Sequence, residues 1–301
     1  MVSLTSAKIV KKTEKTTFEK IKIEQKKKNL RFIHYKKQAQ RALTYYNFSN
    51  FAGNYSNMEF SLNIILFLFF FATIAAFIQR VSGFGFGICI MTVLPFLLPS
   101  YGEATTLSGM LALTQSFYVA CCMREYIVWK RILPMLFIFL VISYLCIGVV
   151  ASTDTHTLTL ILGITLILLS IYFLFFSTKI HIRQSVPMQL LMGSISGVMG
   201  GFFGMQGPPA VLYYVESEPD KNHYAAQTQV YFVIGNIFMT FFRAQNGFLT
   251  QDVAKSWTIA IFGVIVGTYI GSIVFNRIST NILKKIIYGY IAVCGVIFLL
   301  K

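Results

Sequence analysis

Ten residues in the middle of the chain, Gly200-Gly201-Phe202-Phe203-Gly204-Met205-Gln206-Gly207-Pro208-Pro209, constrain its fold more than any other stretch. Apolar segments flank them on both sides, yet they cannot be helical throughout. The four glycines weaken a helix interior, and Pro208 and Pro209 each lack an amide hydrogen. A break inside apolar sequence leaves backbone polar groups without partners, which hydrocarbon tolerates only where the break is buried in protein or lines a wet cavity. Past the break, Pro208 and Pro209 suit the first turn of a new helix. That helix would aim its unbonded amides and positive dipole end back at the gap, an arrangement that favours an anion. A second break, Gly83-Phe84-Gly85-Phe86-Gly87, lies in the first half of the chain.

The surrounding sequence points to a bilayer. Of 301 residues, 55% are apolar and only 12% are charged, against about 25% charged in soluble domains; mean hydropathy is +0.65. The apolar runs are continuous rather than alternating, which predicts an all-α polytopic membrane protein and argues against a porin-type barrel. The net charge of +15 is uneven: residues 1–57 carry 13 Lys/Arg against 3 Asp/Glu, and the remainder 13 against 8. The excess therefore belongs to a basic, disordered N-terminal arm or membrane-surface tail, and no nucleic-acid partner is expected. That arm is not a signal peptide, since its first apolar run comes too late and is too long. It carries Asn-x-Ser sequons at Asn47 and Asn54. Met58, just ahead of the first apolar segment, is an alternative start that would leave residues 1–57 untranslated. The five cysteines all fall in apolar segments without zinc spacing, as expected of small side chains in packed helices.

Ten apolar segments follow the arm, near 60–80, 84–99, 103–122, 130–150, 157–177, 186–203, 207–217, 224–243, 254–275 and 281–300. A full span needs about 20 residues, and 84–99 and 207–217 fall short. Each of those follows a glycine break directly, so each break is expected to join a hairpin dipping into the membrane. Three full spans then follow in each half. Gly148 and Gly271 fall late in matching segments, and Gly163 and Gly289 early in the last span of each half. This pattern predicts two membrane repeats, 58–180 and 181–301. A hairpin makes zero or two crossings, so each half crosses an odd number of times and the second is inverted. That scheme gathers the basic loops at Arg124/Lys130/Arg131, Lys179/Arg183 and Arg277/Lys284/Lys285 on the cytoplasmic side. It also places residue 58 outside, at odds with a cytoplasmic basic arm.

Polar residues within the apolar segments are candidates for a substrate path. Gln79 and Arg80 precede the first break, and Gln206 sits inside the second. Each has a plainer reading: interhelical hydrogen bonds for the glutamines, snorkelling for Arg80. Gln229 and Asn236 lie seven apart and share a face of segment 224–243, which Arg243 closes. Thr106, Ser108, Thr114, Gln115 and Ser116 put polar groups along a first-half segment in a similar way. Such a stripe should face the protein interior, towards a pathway or another helix. Glu216, Glu218 and Asp220 look like a solvated loop. Glu103, at an interface, is the nearest acidic candidate for carrying a coupling proton. No metal spacing, phosphate-binding GxxxxGK[ST] loop or GxSxG elbow occurs, so neither enzyme activity nor a cofactor is expected. The glycine run at 83–87 has no preceding strand and is not a dinucleotide loop.

Two groups of residues carry a family resemblance. One is Phe77-Ile78-Gln79 with Ser82-Gly83-Phe84-Gly85-Phe86-Gly87 and Pro95. The other is Gly193, Gly197, Gly200-Gly201-Phe202-Phe203-Gly204 and Gly207-Pro208-Pro209-Ala210-Val211-Leu212-Tyr213. Together with the Arg124–Arg131 loop and its Trp129, they resemble the sulfite exporter TauE/SafE family over roughly residues 60–300. Where many members carry a GxGGG-like run, Gly204-Met205-Gln206-Gly207-Pro208 stands here. The resemblance implies a multi-pass cell-membrane exporter of sulfite, another sulfur oxyanion or an organosulfonate. The residues add an expected mechanism, in which the halves rock around a midplane site. Amides of Gly83, Gly85, Gly87, Gly204 and Gly207 would hold the anion, with Pro208, Gln206, Gln79, Arg80, Gln229 and Asn236 around it. An anion channel and a non-transporting scaffold are the competing readings.

Overall fold

The computed structural model describes residues 62–175, 185–218 and 220–274. Every element among them is helical. Helix α1 (Leu62–Ser82) runs into the first break, followed by two short helices, α2 (Phe86–Ile90) and α3 (Leu94–Leu97). Then come α4 (Tyr101–Cys122), a 3₁₀ turn at Arg124–Tyr126, α5 (Trp129–Val150) and α6 (Thr155–Phe175). In the second half, α7 (Val186–Phe203) meets the second break, and α8 (Gly207–Ser217), α9 (Lys221–Gln245) and α10 (Gln251–Val274) follow. The segment expected at 84–99 is thus two helices, because the chain turns at 91–93. The arm, Met58, Cys294, the segment at 281–300 with Gly289, and the basic loops at Lys179/Arg183 and Arg277/Lys284/Lys285 lie outside the described residues.

Helices α1, α5, α6, α7 and α10 are long and apolar enough to cross a membrane. Their outer faces expose large apolar side chains such as Phe70, Phe137, Phe262 and Tyr269, the surface a bilayer would cover. Helices α4 and α9, 22 and 25 residues long, are just as extended but more polar. Their polar side chains turn inward: Thr105, Thr106, Ser108, Gln115, Gln227, Thr228, Gln229, Asn236 and Arg243 are all buried. The two helices pack on each other, and Tyr101–Gly109 is buried on every side. A polar stripe at membrane depth is stable only in such a protein interior.

Glycine stripes set the closest helix approaches. Gly193, Gly197 and Gly201 of α7 face α5; a Cβ on Gly193 would stand 2.6 Å from Met135 O. Gly263, Gly267 and Gly271 of α10 face α1; a Cβ on Gly267 would stand 2.1 Å from Thr73 O. Four-residue spacing puts each trio on one helix face, where backbone can approach backbone. Gly148 and Gly271, late in segments matched by sequence, have different surroundings. Gly271 lies over Arg80 and Phe77 O, whereas nothing lies within 4 Å of a Cβ on Gly148. Besides α1 with α10 and α5 with α7, α10 touches α4 and α9 touches α5.

Candidate functional site

The first break is held by its own neighbours. Gly83 and Gly85 adopt φ of 85° and 104°, left-handed values that a side chain strains. The Gln79 carboxamide reaches over the gap: Phe86 N donates to its Oε1 at 3.3 Å, and its Nε2 donates to Ser116 Oγ at 3.4 Å. Ser82 Oγ lies 2.6 Å from Phe84 O. The chain then turns back, and α2 packs on α1.

The second break is held from further away. Gly204 has φ of 67°, and its N–H donates to Gly200 O at 2.9 Å. Ser196 Oγ donates to Gln206 O at 2.6 Å and accepts from Tyr231 Oη at 2.8 Å. Gln206 is buried, and its amide nitrogen donates to Phe232 O of the neighbouring α9 at 3.4 Å. Its Oε1 has no partner among the described residues. Beyond it, α8 begins with Gly207-Pro208-Pro209. Eleven residues give α8 a dipole that the five-residue α2 lacks.

The two breaks touch. A Cβ on Gly87 would stand 2.5 Å from Gly204 O, and one on Gly207 would stand 3.5 Å from Phe84 Cβ. Between them is a cavity of about 20 Å³ lined by Gln79, Gly85, Gly87, Gly204, Gln206 and Asn236, with Gly207 and Pro208 at its wall. That is room for about one water. Gln79 also borders a second cavity of about 240 Å³, lined by Arg80, Gly83, Gln115, Tyr224 and Gln229 among others. The structure therefore brings eight of the expected residues to the contact between the breaks, and Arg80, Gly83 and Gln229 to the adjoining cavity. Arg80 Nε donates to Ser272 Oγ of α10 at 2.8 Å. Gln115 Nε2 donates to Ala76 O at 2.8 Å, while the Oε1 atoms of Gln115 and Gln229 have no partner among the described residues.

The acidic residues have structural work. Glu103 closes a capping box with Ser100 at the start of α4. Glu218, expected in a solvated loop, is instead buried against Arg131. Asp220 caps α9 by accepting from Asn222 N at 2.8 Å and His223 N at 3.0 Å. The His223 amide, foremost, holds the Asp220 carboxyl below its usual range.

Sequence reasoning missed Arg243. It is 1% exposed, and its Nη2 donates to Gly200 O at 2.7 Å and Gly201 O at 3.4 Å, at the end of α7. The available signal was spacing: Gln229, Asn236 and Arg243 recur every seven residues along one face of α9.

A family model described as "Sulfite exporter TauE/SafE" matches residues 68–298. The chain is also similar to the "Probable sulfite/organosulfonate exporter TauE" of Cupriavidus necator. The two are 21% identical over 229 residues, covering 73% of this chain and 87% of that protein. No solved structure matches the chain.

Proposed function

Because the chain belongs to the sulfite exporter TauE/SafE family, a family of multi-pass membrane exporters rather than enzymes, we propose that it moves a small sulfur oxyanion by alternating access, with the two glycine breaks as the substrate site. The observation that carries this reading is the direct contact between the breaks, Gly87 against Gly204 O. Uncoiled backbone deep in a membrane protein is stable only when buried or lining a cavity, and here both breaks border one. The α8 N-terminus supplies positive potential there. The 240 Å³ cavity with Arg80 and Gln229 shares Gln79 with it.

The packing supports an inverted repeat. Matching α1 with α7, α2 and α3 with α8, α4 with α9, and α5 with α10 exchanges the pair α1–α10 for α7–α5. The same exchange turns α10–α4 into α5–α9 and maps α4–α9 onto itself. Two halves related in this way can rock about the α4–α9 contact. The tight 20 Å³ gap between the breaks suits a closed state of such a carrier better than an open channel. The expected repeats, 58–180 and 181–301, and a cell-membrane location belong to this reading.

Uptake of labelled sulfite, sulfate and taurine-like sulfonates into proteoliposomes tests it. Sulfite flux should saturate, Gly204→Leu should abolish it, and Gln206→Ala should lower it about tenfold. Unchanged flux in both variants would overturn the site, and absence of flux for all three anions would overturn the transported class.

A further inference from the structure

The cavity beside the first break, about 240 Å³, is larger than a sulfite ion needs. An apolar cavity of about 150 Å³ already holds a benzene-sized molecule, so a bare oxyanion would fill only part of it. The lining is of two kinds. Phe84, Val119, Val211 and Val215 present hydrocarbon, while Arg80, Gln115, Gln229 and Tyr224 present polar groups. No Asp or Glu lines it among the described residues. A space lined in this way suits a molecule with a short carbon chain between polar ends.

Two of the polar groups are acceptors left over. Gln115 is 2% exposed and Gln229 6%. The Gln115 carboxamide is fixed, because its Nε2 donates to Ala76 O of α1 at 2.8 Å, so the oxygen is the atom to spare. Neither Gln115 Oε1 nor Gln229 Oε1 has a partner among the described residues. A buried acceptor without a donor is costly, and two of them on residues lining one cavity call for a donor from outside the protein. Gln79, the third glutamine of the lining, differs: both ends of its carboxamide are taken, by Phe86 N and Ser116 Oγ. The cation of the lining lies one helical turn beyond the Gln115 anchor, since Arg80 follows Ala76 by four positions. Arg80 Nε donates to Ser272 Oγ at 2.8 Å, which fixes its stem and keeps its charge at the cavity.

Resting on the transporter reading above, which supplies the sulfur oxyanion, we propose that this cavity binds a short aminoalkanesulfonate, a zwitterion whose sulfonate lies towards Arg80 and whose ammonium donates to Oε1 of Gln115 and Gln229. The carbon chain lies on Val119 and Val211. A cation suits the sulfonate oxygens, and the two glutamines set the specificity. An alkanesulfonate without a donor leaves both carboxamide oxygens unpaired and binds less well. Because Gln79 borders both this cavity and the gap between the breaks, the zwitterion waits next to the place where the breaks part.

The test uses the full-length protein and follows its melting in detergent against rising taurine, isethionate or ethanesulfonate. The three share a sulfonate and a short carbon chain and differ in the other end, which is an ammonium, a hydroxyl or a methyl group. Wild type should respond to taurine at a concentration about tenfold below that for ethanesulfonate, with isethionate between. Gln115→Leu and Gln229→Leu each remove one acceptor and should each shrink that gap to about threefold. Ala225→Leu adds bulk at a half-buried position of the lining and should weaken the response to all three. If ethanesulfonate acts at the same concentration as taurine in wild type, or if both glutamine variants keep the wild-type gap, or if Ala225→Leu changes nothing, the site is overturned. Uptake into proteoliposomes separates this from the transporter reading. Saturable sulfite flux with no melting response to any of the three sulfonates overturns the site and leaves the transporter. The expected ranking and its loss in the variants, without flux of any anion, leaves the site and overturns the transporter. Neither flux nor melting response overturns both.

Discussion

The two breaks look alike in sequence but are held by different means. The first is closed by residues within a few positions of it, since Gln79 and Ser82 bond to Phe86 N and Phe84 O. The second depends on groups further along the chain: Arg243 holds Gly200 and Gly201, and Phe232 O accepts from Gln206. The first break is thus tied to α1 and, through Gln79 Nε2, to Ser116 of α4, whereas the second is tied to α7 and, through Arg243 and Phe232 O, to α9. Similar glycine runs thus take different parts in one site, one tied to α4 through Gln79 and one tied to the helix with the buried charge.

The largest effect is expected where the breaks meet. Gly87→Leu drives a side chain into the Gly204 carbonyl, a backbone group that cannot swing aside. We expect a loss on the order of 3 kcal/mol, read as a large drop in monodisperse yield and absence of sulfite flux. Normal yield and flux would show that the breaks do not press on each other.

Next come the groups that close each break. Gln79→Leu strands Phe86 N, and Ser196→Ala strands both Gln206 O and Tyr231 Oη. Each should cost about 2 kcal/mol, seen as a lower Tm. The contrast sharpens in hydrogen exchange: Gln79→Leu should loosen only amides near 79–90, while Ser196→Ala should also loosen α9 around Tyr231. Equal, local patterns would break the distinction between the two.

A smaller change is expected from Gly204→Ala. Its nearest neighbour would be Thr105 O at 3.4 Å, an ordinary contact, so the cost is the left-handed φ alone, about 1 kcal/mol. A much larger loss of Tm would mean that space, not conformation, requires this glycine.

The smallest effect concerns the cap of α9. The Asp220 carboxyl is held below its usual range by the His223 amide, so its ionised form is the one that favours the folded chain. That contribution is complete above the ordinary carboxylate pKa, about 3.9, and disappears as pH falls through the lowered folded value. Asp220→Asn keeps an acceptor but not the charge, so its Tm should lie slightly below wild type at neutral pH and converge with it in acid. A difference that persists in acid would point away from the carboxylate.

Much of the helical order was legible because glycine and proline act locally. Gly83, Gly85 and Gly204 stop helices wherever they stand, and Pro208-Pro209 start one. The turn at 91–93 had one local mark, Pro95 in the first turn of α3, but Met91 and Val93 continue the apolar run through it. Glu218 looked solvated because its neighbours are charged or polar; its burial depends on Arg131, 87 residues away. Of the site, Gln79, Gln206 and Asn236 stood out as polar residues in apolar sequence, but the hydrogen-bond partners of the two glutamines did not. The partner of Gln206 is a carbonyl of α9, set by packing.

The sequence alone determined that this chain is a helical membrane protein interrupted once in each half, since hydropathy and backbone flexibility are properties of short stretches. Only the tertiary structure decided that the interruptions touch, that the glycine trios of α7 and α10 press against α5 and α1, and that Arg243 lies buried behind the second break with a nitrogen to spare. The reason is distance along the chain: contacts between residues tens to hundreds of positions apart follow from how helices pack, and no local pattern encodes which carbonyl a buried guanidinium will meet.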